Sequence, residues 1–499
     1  MTAGTITGRS ALTERRRAVP WKLLETDGLV VTAVAVWVLL LALWLPALVV
    51  PDTWLALVDG RLIASRGVPH TDPFGAWTLG RVWTDQQWGA HLALYELARH
   101  LGVWAVVCFG AAAVAAALSV AAVAARKLGS TARSAAVVLL LPVLAAPWMT
   151  QARTQSFAVL LFPVVYGLLT LDSRSPSRRV LWVIPILIVW ANLHGSVVLA
   201  AALAAAHGIV MAARARSLRT RGVLLTVGSV AAVFASPYAL ALPAYYQTMI
   251  IHPSFAGAVT EWGPASFSKL SAVFFFTAFV SVSLAVTHRA ALTWFERCAL
   301  PVLLVASLSA MRNAIWFEIA LAVSLPRLLD RAWPSTAKLT PAVRRINVRV
   351  AVVAIAVAAV ISVIQVTTLT TRVAQAFPAS AAASVAHAAG QNGIVFADDL
   401  HSDWLAWEQP TLVGRIAFDV RFELFDAAEM AQILRLRDNA HSVWVRCGQS
   451  ATVVTFASTA SAQRARSEGV FNHGVLLAST AGFAAVRQRP TATSCALAG

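Results

Sequence analysis

The sequence predicts an all-α polytopic membrane domain of about 11 transmembrane helices, followed by a small extracytoplasmic α/β domain. Three observations carry this reading. Charged residues make up only 13% of the 499 positions and hydrophobic residues 58%, whereas soluble domains run at roughly a quarter charged. Apolar runs of span length recur up to about residue 370. Basic residues collect in the short segments between those runs. Together they exclude both a soluble enzyme and a disordered chain.

The first apolar run, about 29–50, follows Arg15, Arg16 and Arg17. It is longer than a signal-peptide core and no small-residue cleavage site follows, so an uncleaved span with a cytoplasmic N-terminus is expected. Further runs lie at about 103–125, 134–171, 180–213, 222–243, 271–287, 291–310, 314–326 and 350–370. Six basic clusters punctuate them: Arg9 to Lys22, Arg126 to Arg133, Arg174 to Arg179, Arg214 to Arg221, Arg289 with Arg297, and Arg327 to Arg349. Cytoplasmic loops collect Lys and Arg, so all six are assigned to one side. They hold 23 of the 40 basic residues. The net charge of +17 is then mostly an orientation signal. A nucleic-acid footprint would gather on one solvated face, so no nucleic-acid partner is expected. Two cytoplasmic flanks require an even number of crossings between them. The stretches 134–171, 180–213, 222–288 and 291–326 therefore read as hairpins, and the C-terminus falls outside.

The hairpin tips are polar. They carry Arg153 to Gln155, Asn192 to His194, Glu261 with Trp262, and Arg312 with Asn313. The 51–102 loop adds Asp52, Asp59, Asp72, Asp85 and Glu96. Ionisable groups at the edge of a bilayer are costly and mark function, and four tips at one depth on one face point to a shared polar site. Each residue also has a structural reading: Asp52 as a helix cap, Asp72 as a turn residue, His194 closing a hairpin, Arg312 reaching to headgroups. Asp59, Asp85, Glu96 and Glu318 are read as structural. No zinc spacing, HExxH, GxSxG or P-loop is present. Carboxylates, isolated His and isolated Arg remain, a set suited to general-base activation of a hydroxyl with Arg holding a phosphate.

From about 371 the composition changes, and the division is into 1–370 (membrane, including the 51–102 loop) and 371–499. Strands are expected at 393–397, 414–420, 442–447, 451–456, 474–478 and 483–487, and helices near 379–390, 426–437 and 458–468, enough for a domain with its own core. Cys447 and Cys495 would lie in an oxidising compartment, where a disulfide is expected. Asp398, Asp399, His401 and Asp403 read first as a polar loop capping a helix at Trp404, with a divalent cation as the other reading.

Several motifs run together through the chain: Asp52-Thr53-Trp54, Gly67-Val68-Pro69-His70-Thr71-Asp72-Pro73-Phe74, Gly80 to Trp83 with Gln87-Trp88, Arg153-Thr154-Gln155, Trp190 to Gly195, Glu261-Trp262, Arg312-Asn313, Ile394 to Asp398, and Ile416 to Arg421. In this pattern the chain resembles the GT-C class of glycosyltransferases, which use polyprenyl-phosphate-linked sugars at the outer membrane face. It resembles more closely a bacterial GT-C-like membrane family of largely unassigned activity. The resemblance implies hexosyl or pentosyl transfer from a polyprenyl-phosphate donor to an envelope glycan, lipid or protein. It implies Asp52 as catalytic base or metal-facing carboxylate and Asp72 as the second carboxylate. Arg153 and Arg312 would hold lipid phosphate, His194 and Glu261 would line the acceptor or sugar site, and Gln155, Asn192 and Asn313 would bind substrate beside them. A divalent cation is a possible cofactor. The family's usual Arg-Pro-Gln stands here as Arg153-Thr154-Gln155. Two other functions fit the same architecture: a ligase for lipid-linked oligosaccharide, and a non-catalytic scaffold or transporter of envelope glycan assembly.

Overall fold

The computed structural model describes residues 28–44, 49–251, 260–269, 271–334, 340–438, 451–456, 463, 474–480 and 482–488. Its apolar stretches are helical and break at the polar tips. Val103–Lys127 runs for 25 residues, about 37 Å at 1.5 Å per residue, and it ends on Arg126 and Lys127. Among the described residues it is one of four helical stretches long and apolar enough to cross a membrane, with Gln155–Arg174, Val197–Arg214 and the run from Pro341. Shorter apolar helices occupy Gly28–Leu43, Ala132–Ala145 and Ala272–Thr287. Large apolar side chains such as Phe276, Phe279, Ile355 and Val363 point outward on these helices, as a lipid-facing surface requires. The chain is an integral membrane protein.

Ala314–Ala332 is the central helix, buried from Ala314 through Leu328. A helix apolar all round belongs in an interior, and Phe162, Tyr166, Trp190 and Phe274 pack in the same core as its Trp316 and Phe317. Its Glu318 accepts a hydrogen bond from Thr277 (2.5 Å) inside this core, in keeping with a structural role.

The 51–102 loop folds as two helices, Pro51–Arg66 and Trp88–Leu101. They touch at Gly60, where a Cβ would come within 2.2 Å of the His91 carbonyl oxygen. Glu96 stays on the surface, paired with Arg99 and His100.

The tail carries a four-stranded sheet of β1 (Val395–Phe396), β2 (Val453–Phe456), β3 (Val475–Ser479) and β4 (Ala484–Arg487), in the order β1-β2-β4-β3. β1 and β2 are parallel and the other two pairings antiparallel. Helices fall at Ala379–Ala389, Ser402–Glu408 and Ala427–Asp438. The 414–420 stretch is no strand of this sheet. It makes single bridges, Ile416 to Val395 and Ile416 to Gly75, because its backbone is shared with the outer loop: Ala76 and Trp77 donate to the Ile416 and Ala417 carbonyls (2.6 and 3.1 Å). The strand expected at 442–447, most of the helix at 458–468, and both Cys447 and Cys495 lie outside the described residues.

The tail has a core of its own, with Phe396, Phe418, Phe425, Met430, Val454 and Val486 buried together, and shares a second core with the outer loop. Trp54, Leu57, Phe74, Trp83 and Leu94 of the outer loop are buried in one cluster with Phe377, Val385, Trp404 and Phe483 of the tail. Arg61 ties the edge of this cluster, donating to the Ala406 and Trp407 carbonyls (2.6 and 2.9 Å). The outer loop and the tail are thus one packed layer over the helices.

Candidate active site

Pro51–Arg66 starts with Val50 as its N-cap, so Asp52 sits in the first turn with its carboxylate unused by capping. The positive end of the helix favours a carboxylate there. The next residue, Thr53, is fully buried and donates its hydroxyl to the Ala152 carbonyl (2.6 Å). That one bond registers the loop helix against the 146–154 tip and brings Asp52 beside Arg153.

Arg153 is the hub. Its Nη1 lies 3.2 Å from Asp52 Oδ2 and 3.1 Å from Glu261 Oε1, and Nη2 donates to Glu261 Oε2 (3.2 Å). Burial works against the charge of this guanidinium, but Glu261 and Asp52 outweigh it and hold the pKa above its ordinary value. Glu261 shows the converse: burial raises its pKa, and the Arg153 charge and hydrogen bonds, with Arg312, bring it below the usual carboxylate range.

Glu261 and Trp262 are fixed beside the 310–313 tip by two backbone bonds, Met311 N–H to Gly263 (3.0 Å) and Ala265 N–H to Leu308 (2.9 Å). Arg312 then lies over Trp262, its guanidinium carbon 3.8 Å from the ring centroid, a cation–π contact that holds the charge in place. Burial lowers its pKa, opposed by Glu261. His194 accepts the Ser196 N–H at Nδ1 (3.1 Å), which puts the ring proton on Nε2. Burial, then Arg312 and Arg153, push its pKa well down, so the imidazole is neutral.

Asp52, Arg153, Gln155, His194, Glu261 and Arg312 all line one cavity of about 300 Å³. A second cavity of about 470 Å³ lies on the other side of Asp52, Arg153 and Glu261, walled by Trp148, Gln151, Pro264 and Met311 among others. The three charged residues form a partition between two chambers.

Three expected site residues are elsewhere. Asp72 is buried and saturated: it accepts from the Phe74 and Gly75 N–H groups (2.9 and 3.3 Å), from the Thr78 hydroxyl, and pairs with Arg421 (2.7 Å). It makes the bonds of the turn residue in its other reading, and Glu261 is the carboxylate that shares Arg153 with Asp52. Asn192 accepts from Trp88 Nε1 (2.8 Å) and donates to the Ile188 and Ala235 carbonyls (3.0 and 2.7 Å), which spends its amide on holding the outer loop. Asn313 donates to Ala306 (3.0 Å) at the start of the central helix.

Other groups were not legible as site residues. Gln87, Thr154 and Tyr245 line the cavity, as do Asp399 and 420–423 of the tail. So does His91, whose Nδ1 sits 2.6 Å from Asp59 and 3.2 Å from Asp85. Burial, then the Asp85 charge, raises Asp59 to about 7. Burial opposes the His91 charge, yet Asp85 and Asp59 lift its pKa to about 10. These three offer ligand atoms within 4.8 Å of one another. The 2.6 Å contact is a hydrogen bond; two donors around a zinc ion would stand roughly 3.3 Å apart. The cluster is a charge-stabilised imidazolium between two acids. In the cavity, a guanidinium already occupies the place between Asp52 and Glu261 where a divalent ion would bridge them.

Helical bundle, two-helix outer loop and covering tail together have a counterpart among solved structures. The crystal structure of ArnT from Cupriavidus metallidurans bound to undecaprenyl phosphate has this fold, matching 97% of this chain and 100% of its own with a TM-score of 0.53 and 16% identity. No protein-family model and no curated protein sequence matches the chain.

Proposed function

We propose that this protein is a membrane glycosyltransferase that moves a sugar from a polyprenyl-phosphate donor to an extracytoplasmic acceptor. One observation carries the reading: Asp52, Arg153, Glu261 and Arg312, from four separate loops, converge on one cavity within a fold shared with a protein crystallised with undecaprenyl phosphate. In the orientation read from the basic clusters, about eleven spans put the N-terminus in the cytoplasm and the cavity and tail outside a bacterial plasma membrane.

Arg153 and Arg312 bind the donor phosphate; each charge-assisted hydrogen bond is worth about 1.5–3 kcal/mol. Asp52 is the carboxylate of the partition with the most open side chain, 46% exposed against 28% for Glu261. It takes the proton of the acceptor hydroxyl as that oxygen bonds to the anomeric carbon. The bond from that carbon to the phosphate oxygen breaks, and the electron pair leaves with the phosphate, whose growing charge the two guanidiniums neutralise without a proton. Donor and acceptor reach this point from the two chambers. Because Arg153 supplies the positive charge between the two acids, the reaction needs no divalent ion at the partition.

The test is lipid profiling with and without the gene, and transfer by purified protein in nanodiscs. A polyprenyl-linked sugar that accumulates on deletion and is consumed in vitro supports transfer. Absence of both removes the reading in favour of a scaffold.

A further inference from the structure

The cavity has two unlike ends. One is the Arg153–Arg312 end described above. The other is made by the tail, through Asp399, Val420, Arg421, Phe422 and Glu423, with Tyr245 and Met249 beside them. The tail end is rigid. Arg421 is clamped by Asp419 (2.5 Å) and Asp72 (2.7 Å) and stacked between Phe74 and Trp83, 4.8 and 4.4 Å from their centroids. The short helical turn Phe422–Leu424 follows directly.

Its chemistry does not suit a phosphate, since Glu423 and Asp399 are acids. It suits hydroxyl groups. Burial raises Glu423 to about 7, partly offset by Arg421, so its carboxyl is present as both donor and acceptor near neutral pH. Among the described residues Arg421 Nη1 has no hydrogen-bond partner, which leaves both of its N–H groups to donate. Phe422 and Tyr245 offer flat apolar surface. A few placed polar groups on an apolar wall orient a ligand and give specificity, and a sugar ring has both apolar C–H faces and hydroxyls. At about 300 Å³ the cavity is at the small end of ligand sites, matched to a headgroup and not to a lipid chain.

We propose that the tail segment 419–423 is the sugar subsite, with Glu423 and Arg421 binding donor hydroxyls while the lipid phosphate lies at the Arg153–Arg312 end. This rests on the transferase reading above and adds that sugar choice is made by the tail.

The test uses the full chain in nanodiscs. The probes are bare undecaprenyl phosphate and a panel of undecaprenyl-phosphate monosaccharides that includes a hexose and a pentose. Wild type is expected to bind at least one sugar-bearing lipid more tightly than the bare lipid. Glu423→Ala is expected to lose about tenfold of that margin with unchanged affinity for bare lipid, which also shows that the variant is folded. Glu423→Gln, which keeps a hydrogen-bonding group, should retain most of the margin, and Arg153→Ala should weaken both lipids alike. Glu423→Ala losing both equally, or neither, overturns the subsite. So does a wild type that prefers no sugar-bearing lipid, which leaves the phosphate site standing. A wild type that binds neither lipid removes the donor reading and the subsite together.

Discussion

Two arginines in this molecule each sit between two carboxylates, and only one of them builds a cavity partition. Arg153 bridges Asp52 and Glu261, whose side chains are 46% and 28% exposed. Arg421 bridges Asp72 and Asp419, 0% and 7% exposed, and is sandwiched by aromatic rings. The charged groups are the same; access differs. In the sealed triad both carboxylates are matched and closed off, so it acts as a latch between outer loop and tail, and of its three members only Arg421 also faces the cavity. In the open triad the carboxylates stay within reach of a ligand.

The contrast is most exposed to test at Asp52. Asp52→Asn should lower transfer by about 10²–10⁴-fold with the thermal unfolding midpoint of the purified protein essentially unmoved. A normal transfer rate would end Asp52's role as base. At the latch the expectation reverses. Asp72→Ala leaves Arg421 short of a buried partner and should cost about 3–5 kcal/mol of stability, read as a lowered unfolding midpoint, with affinity for bare undecaprenyl phosphate per folded molecule retained. If that variant loses bare-lipid affinity at unchanged stability, the latch and the phosphate site are not distinct.

A third expectation concerns the His91 cluster. Its folded pKa, about 10, lies above the ordinary 6.5. The folded state therefore binds the proton more tightly, and the stability it adds is complete below pH 6.5 and lost as pH rises through about 10. Asp59, raised to about 7, acts in the same direction at lower pH. Unfolding midpoints across this range should fall with pH, and His91→Gln should flatten the slope. The smallest effect expected is none. Chelation with EDTA should leave transfer unchanged, since Arg153 is the cation between Asp52 and Glu261; a loss restored by a divalent salt would contradict this.

Much of the fold was legible because a bilayer constrains sequence so strongly. Long apolar runs and scarce charge mark the helices, and a polar residue at a hairpin tip stands out against them, as Arg153, His194 and Arg312 do. What hid was whatever depends on distant pairing. Asp72 has the look of a catalytic acid until Arg421 closes over it. Asp59, Asp85 and His91 share no motif spacing and meet only because two loop helices pack at Gly60. Glu423 had one available signal, its position two residues past the Asp419-Val420-Arg421 motif. The shared core was invisible because the tail alone has the composition of a self-sufficient α/β unit.

Arg81 donates to the Leu424 carbonyl across 343 residues of chain (2.9 Å), and Gly75 bridges to Ile416 in the same seam. At about 5–20 residues per second of synthesis, the outer loop emerges on the order of tens of seconds before the segment that roofs it. Until then Phe74 and Trp83 have no cover, and Asp72 no counter-ion. The cavity acquires its last wall only after the long helix Pro341–Ala376 is made, so a nascent chain stalled at any earlier point holds Asp52 without the chamber around it.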